Sequence, residues 1–191
     1  DGNGRDVVTI ELLTLGHIIE ATADATVTIA VPDREVAVKL LTVPKAGGAD
    51  TVGRTSFELS QTLLEPSDQF LFDALPIANR DRVIGLIYRR VRLRELETRL
   101  LATNGALSTS RFTMRAVALG RGYLHFAELD SDGLLCLADL AHGAVSLCFI
   151  YEKGIVAVGQ MGIGEADFAS DRAIRAFGNN LKSLINFHLA G

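Results

Sequence analysis

Residues 134–164 read LLCLADLAHGAVSLCFIYEKGIVAVGQMGIG, and how this stretch is interpreted decides the rest of the chain. An apolar run ends at Asp139, and a bend of small residues, Ala141-His142-Gly143-Ala144, returns the chain into Val145 to Tyr151. Glu152-Lys153-Gly154 then turns into a third run, Ile155 to Met161, which stops at Gly162-Ile163-Gly164. Short apolar runs punctuated by glycine read as strands. A carboxylate closing a buried strand ahead of a tight hairpin brings backbone N–H groups and the Ser146 hydroxyl toward one point, which suits a phosphate or a metal-bound water. An Asp in a hairpin is more often a turn former than a ligand, its carboxylate accepting from a backbone N–H two residues on.

Composition bounds the classes of function. With 191 residues, 48% of them apolar, the chain can bury a core as one domain or two small ones. A formal net charge of -4 supplies no global attraction to nucleic acid or anionic lipid. Trp is absent and aromatics make up 6%, which argues against a base-stacking or carbohydrate platform. Cys136 and Cys148 each sit in an apolar strand and in no zinc-like spacing. They read as reduced core residues of an intracellular protein, with pairing across neighbouring strands as the alternative. No run approaches the length that spans a bilayer, and no signal peptide is visible at Asp1. A start without Met suggests a fragment.

Ahead of the quoted stretch, strands and helices interleave. Asp1 to Gly4 is polar and glycine-rich, and Val7 to Leu15 and His17 to Glu20 follow as strands. ATVTIAV, residues 25–31, is a third strand closed by Pro32-Asp33, with EVAVKLLTV, residues 35–43, as its expected hairpin partner. Pro44 to Gly53 reads as a loop and Thr55 to Leu64 as a helix with Ser56 as candidate cap. Gln69 to Leu75 and Arg82 to Arg89 read as strands, Gly85 marking a close approach of something else. Val91 to Thr103 is the clearest amphipathic helix, ended by Asn104-Gly105. Its arginines interleave with Glu95 and Glu97, which favours a solvated face over an anion site. Phe112 to Leu119 is expected to be helical, Asp130 to Gly133 an ordinary turn rather than a calcium loop, and Asp167 to Leu189 a closing helix. His17, His125 and His142 are scattered and read as packing residues. The sum is an α/β or mixed α+β chain with no short repeat.

Each half of the chain opens with an Asp-led glycine turn: Asp1-Gly2-Asn3-Gly4 before Val7, and Asp139 through Gly143 before Val145. This pairing resembles the actin-like ATPase fold, whose two related halves each present a phosphate loop. The order of segments most resembles the PilM family, cytoplasmic actin-like components of the type IV pilus inner-membrane platform, related to FtsA and to GspL of type II secretion. ATVTIAVPDREVAVKLLTVPKAG is similar to that family's inserted 1C subdomain, and RVIGLIYRRVRLRELETRLLATNGAL to the strand and helix that follow. Residues 134–164 look like its second-half hairpin, and LKSLINFHLAG like the helix preceding its adenosine loop. The resemblance implies a reduced actin-like fold divided into a first-half hairpin (1–24), a 1C-like insert (25–78), the remainder of the first half (79–133) and a second-half hairpin and helix (134–191).

Carried over by position, the resemblance makes Asp139 the holder of a Mg²⁺-bound water, with Gly143 and Ser146 near the phosphates of ATP and Asp1 and Gly4 in the first loop. The sequence departs from that pattern. Ala141 replaces a glycine, which hinders backbone approach to a phosphate. Asn3 also replaces a glycine, Arg5 and Asp6 replace hydroxyl residues, and an Asp there repels a γ-phosphate. The expectation is a non-catalytic scaffold with a vestigial nucleotide site. It would lie in the cytoplasm, peripheral to an inner membrane and not inserted in it, and homo-oligomerisation is open to it. Its implied partner is the cytoplasmic tail of a PilN-like membrane protein, held near Val36, Val38, Leu40, Val43 and Phe57. The competing expectation is an active, polymer-forming ATPase of the same fold. A small-molecule binder unrelated to pili is a third.

Overall fold

The structure, a computed structural model, describes residues 27–43, 50–77, 81–103, 110–127, 133–141, 144–162 and 170–189. Asp1, Gly4 and Gly143 and the expected strands before residue 21 lie outside these. Val27–Val31 (β1) runs parallel to Ser110–Met114 (β5). Val36–Thr42 (β2), Phe70–Pro76 (β3) and Arg82–Arg89 (β4) form an antiparallel sheet with β4 at its centre. Leu135–Ala141 (β6), Ala144–Tyr151 (β7) and Gly154–Met161 (β8) form an antiparallel meander. The helices are Thr51–Ser60 (α1), Arg90–Thr103 (α2), Arg115–Phe126 (α3) and Asp171–Leu189 (α4).

The two central strands are buried along their length because both faces are covered. On β4, Ile84, Leu86 and Tyr88 enter the main core, while Ile87 on the opposite face packs with Phe70 and with Leu59 of α1. A Cβ at Gly85 would lie 2.9 Å from both Leu59 methyls, so the expected close approach is that of α1. On β7, Cys148 and Ile150 face α3, while Val145, Leu147 and Phe149 face Phe177, Leu181 and Leu184 of α4. That stripe on α4 follows helical spacing, and Ser170 Oγ accepts from Ala173 N–H at 3.2 Å to cap the helix. Gly120 lets α3 lie down on the meander: a Cβ there would fall against Cys148 Sγ and 2.8 Å from Ile155 Cδ1.

Several expectations change. Residues 25–31 and 35–43 are not a hairpin, because β1 pairs with β5 and β2 with β4. Pro32 and a single 3₁₀ turn, Asp33–Glu35, divert the chain from one sheet into another. Phe112 to Met114 are strand, with the helix opening only at Arg115, since the parallel ladder to β1 outweighs local helical spacing. Helix α1 runs from Thr51 to Ser60, earlier than expected, and Ser56 lies inside it, its hydroxyl donating to the Val52 carbonyl at 2.7 Å. Strand β4 lies between β2 and β3 in one sheet. Cys136 lies opposite Phe149 and Cys148 opposite Leu137, on opposite faces of the meander, and both thiols are free.

Candidate functional site

Of the residues singled out in the second-half hairpin, Asp139 meets the start of α3. Strand β6 runs beyond Asp139 to Ala141, so Asp139 sits inside the ladder opposite the buried Ser146 instead of at its end. Arg115, the first residue of α3, donates from Nε to Asp139 Oδ2 at 2.6 Å, and its Nη2 lies 2.6 Å from the same oxygen as an ion pair. The Arg115 side chain is 40% exposed and that of Asp139 29%, so water screens the pair and it contributes about 1 kcal/mol.

One residue further along α3, Ala116 N–H donates to Asp33 Oδ1 at 3.0 Å. Asp33 is buried in the turn after β1, where its negative charge meets the positive end of the helix dipole and satisfies an otherwise unpaired N–H. Among the described residues its Oδ2 has no hydrogen-bond partner. The mouth of α3 thus carries two carboxylates with one guanidinium between them in role: Asp33 caps the helix, and Arg115 neutralises Asp139.

A carboxylate that holds a cation-bound water has to be a local excess of negative charge. Arg115 sets a positive charge against Asp139 Oδ2, which works against a Mg²⁺-bound water held at that oxygen. Among the described residues no group of three or more His, Cys, Asp or Glu converges on a point. No thiolate nucleophile is prepared either: burial, with the charges of Cys136 and Asp33 adding to it, pushes the Cys148 thiol up to about 12. Burial likewise raises the Tyr88 phenol, with the Asp73 charge as a further cause.

The residues expected to meet a partner do not form one surface. Val36, Val38 and Leu40 alternate onto one face of β2, where Val36 is buried, Leu40 is half-buried and Val38 is 37% exposed. Val43 is buried, and Phe57 is 64% exposed on α1. Val43 and Phe57 line a separate cleft of about 360 Å³ with Thr42, Asp50 and Arg54. Sequence reading missed Arg115 altogether, because nothing local marks a helix-opening arginine as the partner of a carboxylate 24 residues later. It recorded Asp33 only as the close of a strand.

This arrangement of a parallel β1/β5 pair, an inserted sheet and a following meander is the actin-like ATPase fold. The structure is similar to a solved PilM–PilN type IV pilus biogenesis complex, 17% identical over 92% of this chain and 59% of that one, with a TM-score of 0.58. The cytoplasmic domain of EpsL, an inner-membrane component of the type II secretion system of Vibrio cholerae, matches at 11% identity over 78% of this chain and 55% of that one, TM-score 0.49. A protein of actin-like ATPase fold and unknown function from Bacteroides thetaiotaomicron matches at 10% identity over 89% and 61%, TM-score 0.49. The chain therefore spans between 55% and 61% of the length of these solved proteins. No family model matches the sequence, and no curated protein does. Among the described residues no helix is long and apolar enough to cross a membrane.

Proposed function

We propose that this chain is a partner-binding scaffold on an actin-like frame, without ATPase action, at the cytoplasmic face of a membrane machine of the type IV pilus or type II secretion kind. The observation that carries the loss of catalysis is the Arg115–Asp139 pair: the carboxylate on which nucleotide chemistry would depend is occupied by the protein's own cation. The PilM–PilN complex supports the scaffold role, since a protein of this fold is found there with a partner. In this reading the partner is the cytoplasmic tail of a PilN-like membrane protein, and the rim of β2 around exposed Val38 and half-buried Leu40 receives it. Val36 and Val43 support that rim from the core, Phe57 borders a separate cleft, and homo-oligomerisation stays open to the chain.

Thermal melting with two ligands tests this. Millimolar Mg-ATP should leave the melting temperature unchanged, whereas a synthetic peptide of the PilN-like tail should raise it. The variant Val38→Asp should lose the peptide effect while melting as the parent does. A ligand in hundredfold excess over its Kd stabilises by about 2.7 kcal/mol. A shift of that size with Mg-ATP would sink the vestigial-site reading, and phosphate release measured beside it would establish the competing one, an active ATPase.

A further inference from the structure

The inserted sheet has two edges, β2 on one side of β4 and β3 on the other. In an antiparallel ladder alternate residues turn both backbone groups toward the neighbouring strand, and those between turn them away. Two bonds fix which is which. Ile77 N–H donates to the Arg82 carbonyl at 3.0 Å, and Val43 N–H to the Asp81 carbonyl at 3.1 Å. Counting back along the register, Phe70, Phe72, Ala74 and Pro76 turn their groups outward from β3, and Val36, Val38, Leu40 and Thr42 turn theirs outward from β2.

The two edges are finished differently. On β3, Phe70 N–H donates to the Ser67 carbonyl, and the Phe70 carbonyl accepts from Arg90 Nε at 2.9 Å. Ala74 N–H donates to Asp73 Oδ1 at 2.8 Å, and Pro76 has no N–H to offer. Such fittings stop a sheet from adding strands. On β2, Val36 N–H donates to the Asp33 carbonyl and closes the 3₁₀ turn. The N–H groups of Val38, Leu40 and Thr42 have no partner among the described residues. Val38 and Thr42 are exposed there, and Leu40 is half-buried.

Only an extended backbone presents donors and acceptors at the spacing of this row. The same row run antiparallel is such a backbone. We infer that β2 pairs with β2 of a second copy of this chain about a twofold axis at Leu40, joining two three-stranded sheets into one. Each copy then gives the N–H groups of Val38, Leu40 and Thr42 and takes those three of the other, with Val38 opposite Thr42 and Leu40 opposite Leu40. The groups available select this register. An axis at Val38 would call on the Val36 N–H, already given to Asp33, and would leave Thr42 unpaired. An axis at Lys39 would set two ammonium groups face to face, whereas the axis at Leu40 sets Lys39 opposite Leu41. A second copy is favoured over a foreign strand because the row matches every one of its own free N–H groups, with Leu40 on Leu40 closing the apolar side.

Sedimentation velocity on the full chain tests it. A dimer should form at roughly 100 µM chain. Thr42→Pro deletes one outward N–H per copy and no bond to β4, so it should weaken the dimer about tenfold or more while keeping the parent's melting temperature. Cysteine cross-linking in a Cys136→Ser background reads the register without relying on that variant. Oxidised Leu40→Cys should give a covalent dimer, because the two Cα atoms stand about 5.5 Å apart across the axis. Thr42→Cys should not, its two copies lying about 13 Å apart along the strands. The inference is overturned by a dimer indifferent to Thr42→Pro, by a cross-link through Thr42→Cys and not Leu40→Cys, or by a monomer at that concentration, which would leave the edge to a strand of another protein. A monomer that still responds to the tail peptide would overturn this inference alone and leave the scaffold reading standing.

Discussion

Cys148 lies under α3 with no exposed surface, and Cys136 is half-buried on the opposite face of the meander. Burial raises both thiols, Cys148 to about 12 from an ordinary 9.0. The folded state therefore holds the Cys148 proton over a range in which the unfolded chain has lost it. Below pH 9 this has no effect on stability; above it, stability falls by about 1.4 kcal/mol per pH unit until the folded thiol itself ionises near 12. Urea melts at pH 8, 9.5 and 10 should show a fall with pH, and Cys148→Ala should remove the Cys148 share of it while leaving the smaller share of Cys136. Thiol labelling at pH 8 should modify Cys136 slowly and reach Cys148 only on unfolding. At the mouth of α3, Arg115→Ala should cost about 1 kcal/mol in urea unfolding, a value kept small by the exposure of the pair. If Arg115→Ala and Asp139→Asn are coupled as the geometry requires, the double variant should lose less than the two single losses added together.

At the scale of elements, close approaches and turns decide stability. Gly120→Ala should destabilise by about 1–3 kcal/mol, because the added methyl meets Cys148 Sγ and Ile155 in a packed contact. Cys148→Ala should recover part of that loss when combined with it, as a thermal double-mutant cycle would show. The β7–β8 turn is made by Glu152 and Lys153 with φ of 48° and 60°, a left-handed pair with no glycine in it. Lys153→Gly should therefore stabilise by about 0.5–1 kcal/mol, less than the full strain because glycine also gains freedom in the unfolded chain. Elements with a strong local pattern were legible from sequence: β4 from its unbroken apolar run, α4 from the spacing of Phe177, Leu181 and Leu184, and the β6–β8 meander from its turns. Strand β5 was not. Ser110 to Met114 carry no local sign that their partner is β1, far back in the chain, and the same residues satisfy helical spacing.

Across the whole molecule, one core joins all three sheets. Val31 and Met114 from the parallel pair, Leu86 and Tyr88 from the inserted sheet, and Cys148 and Ile150 from the meander belong to a single buried cluster. Calorimetry should therefore show one cooperative transition with matching calorimetric and van't Hoff enthalpies, and two separate transitions would contradict a shared core. The mixed α/β class was legible because strand and helix patterns interleave along the chain, whereas the actin-like fold entered only through the resemblance of the Asp-led turns and the segment order. The candidate site was legible only in part. Asp139 and Ser146 could be named, since they flank a hairpin, but the charge facing them comes from a helix whose position depends on long-range packing. An ion can be drawn away by a chelator, whereas a guanidinium is tethered to its backbone. Because Asp139 takes its countercharge from Arg115, EDTA and magnesium starvation should leave the seam between α3 and β6 as it was.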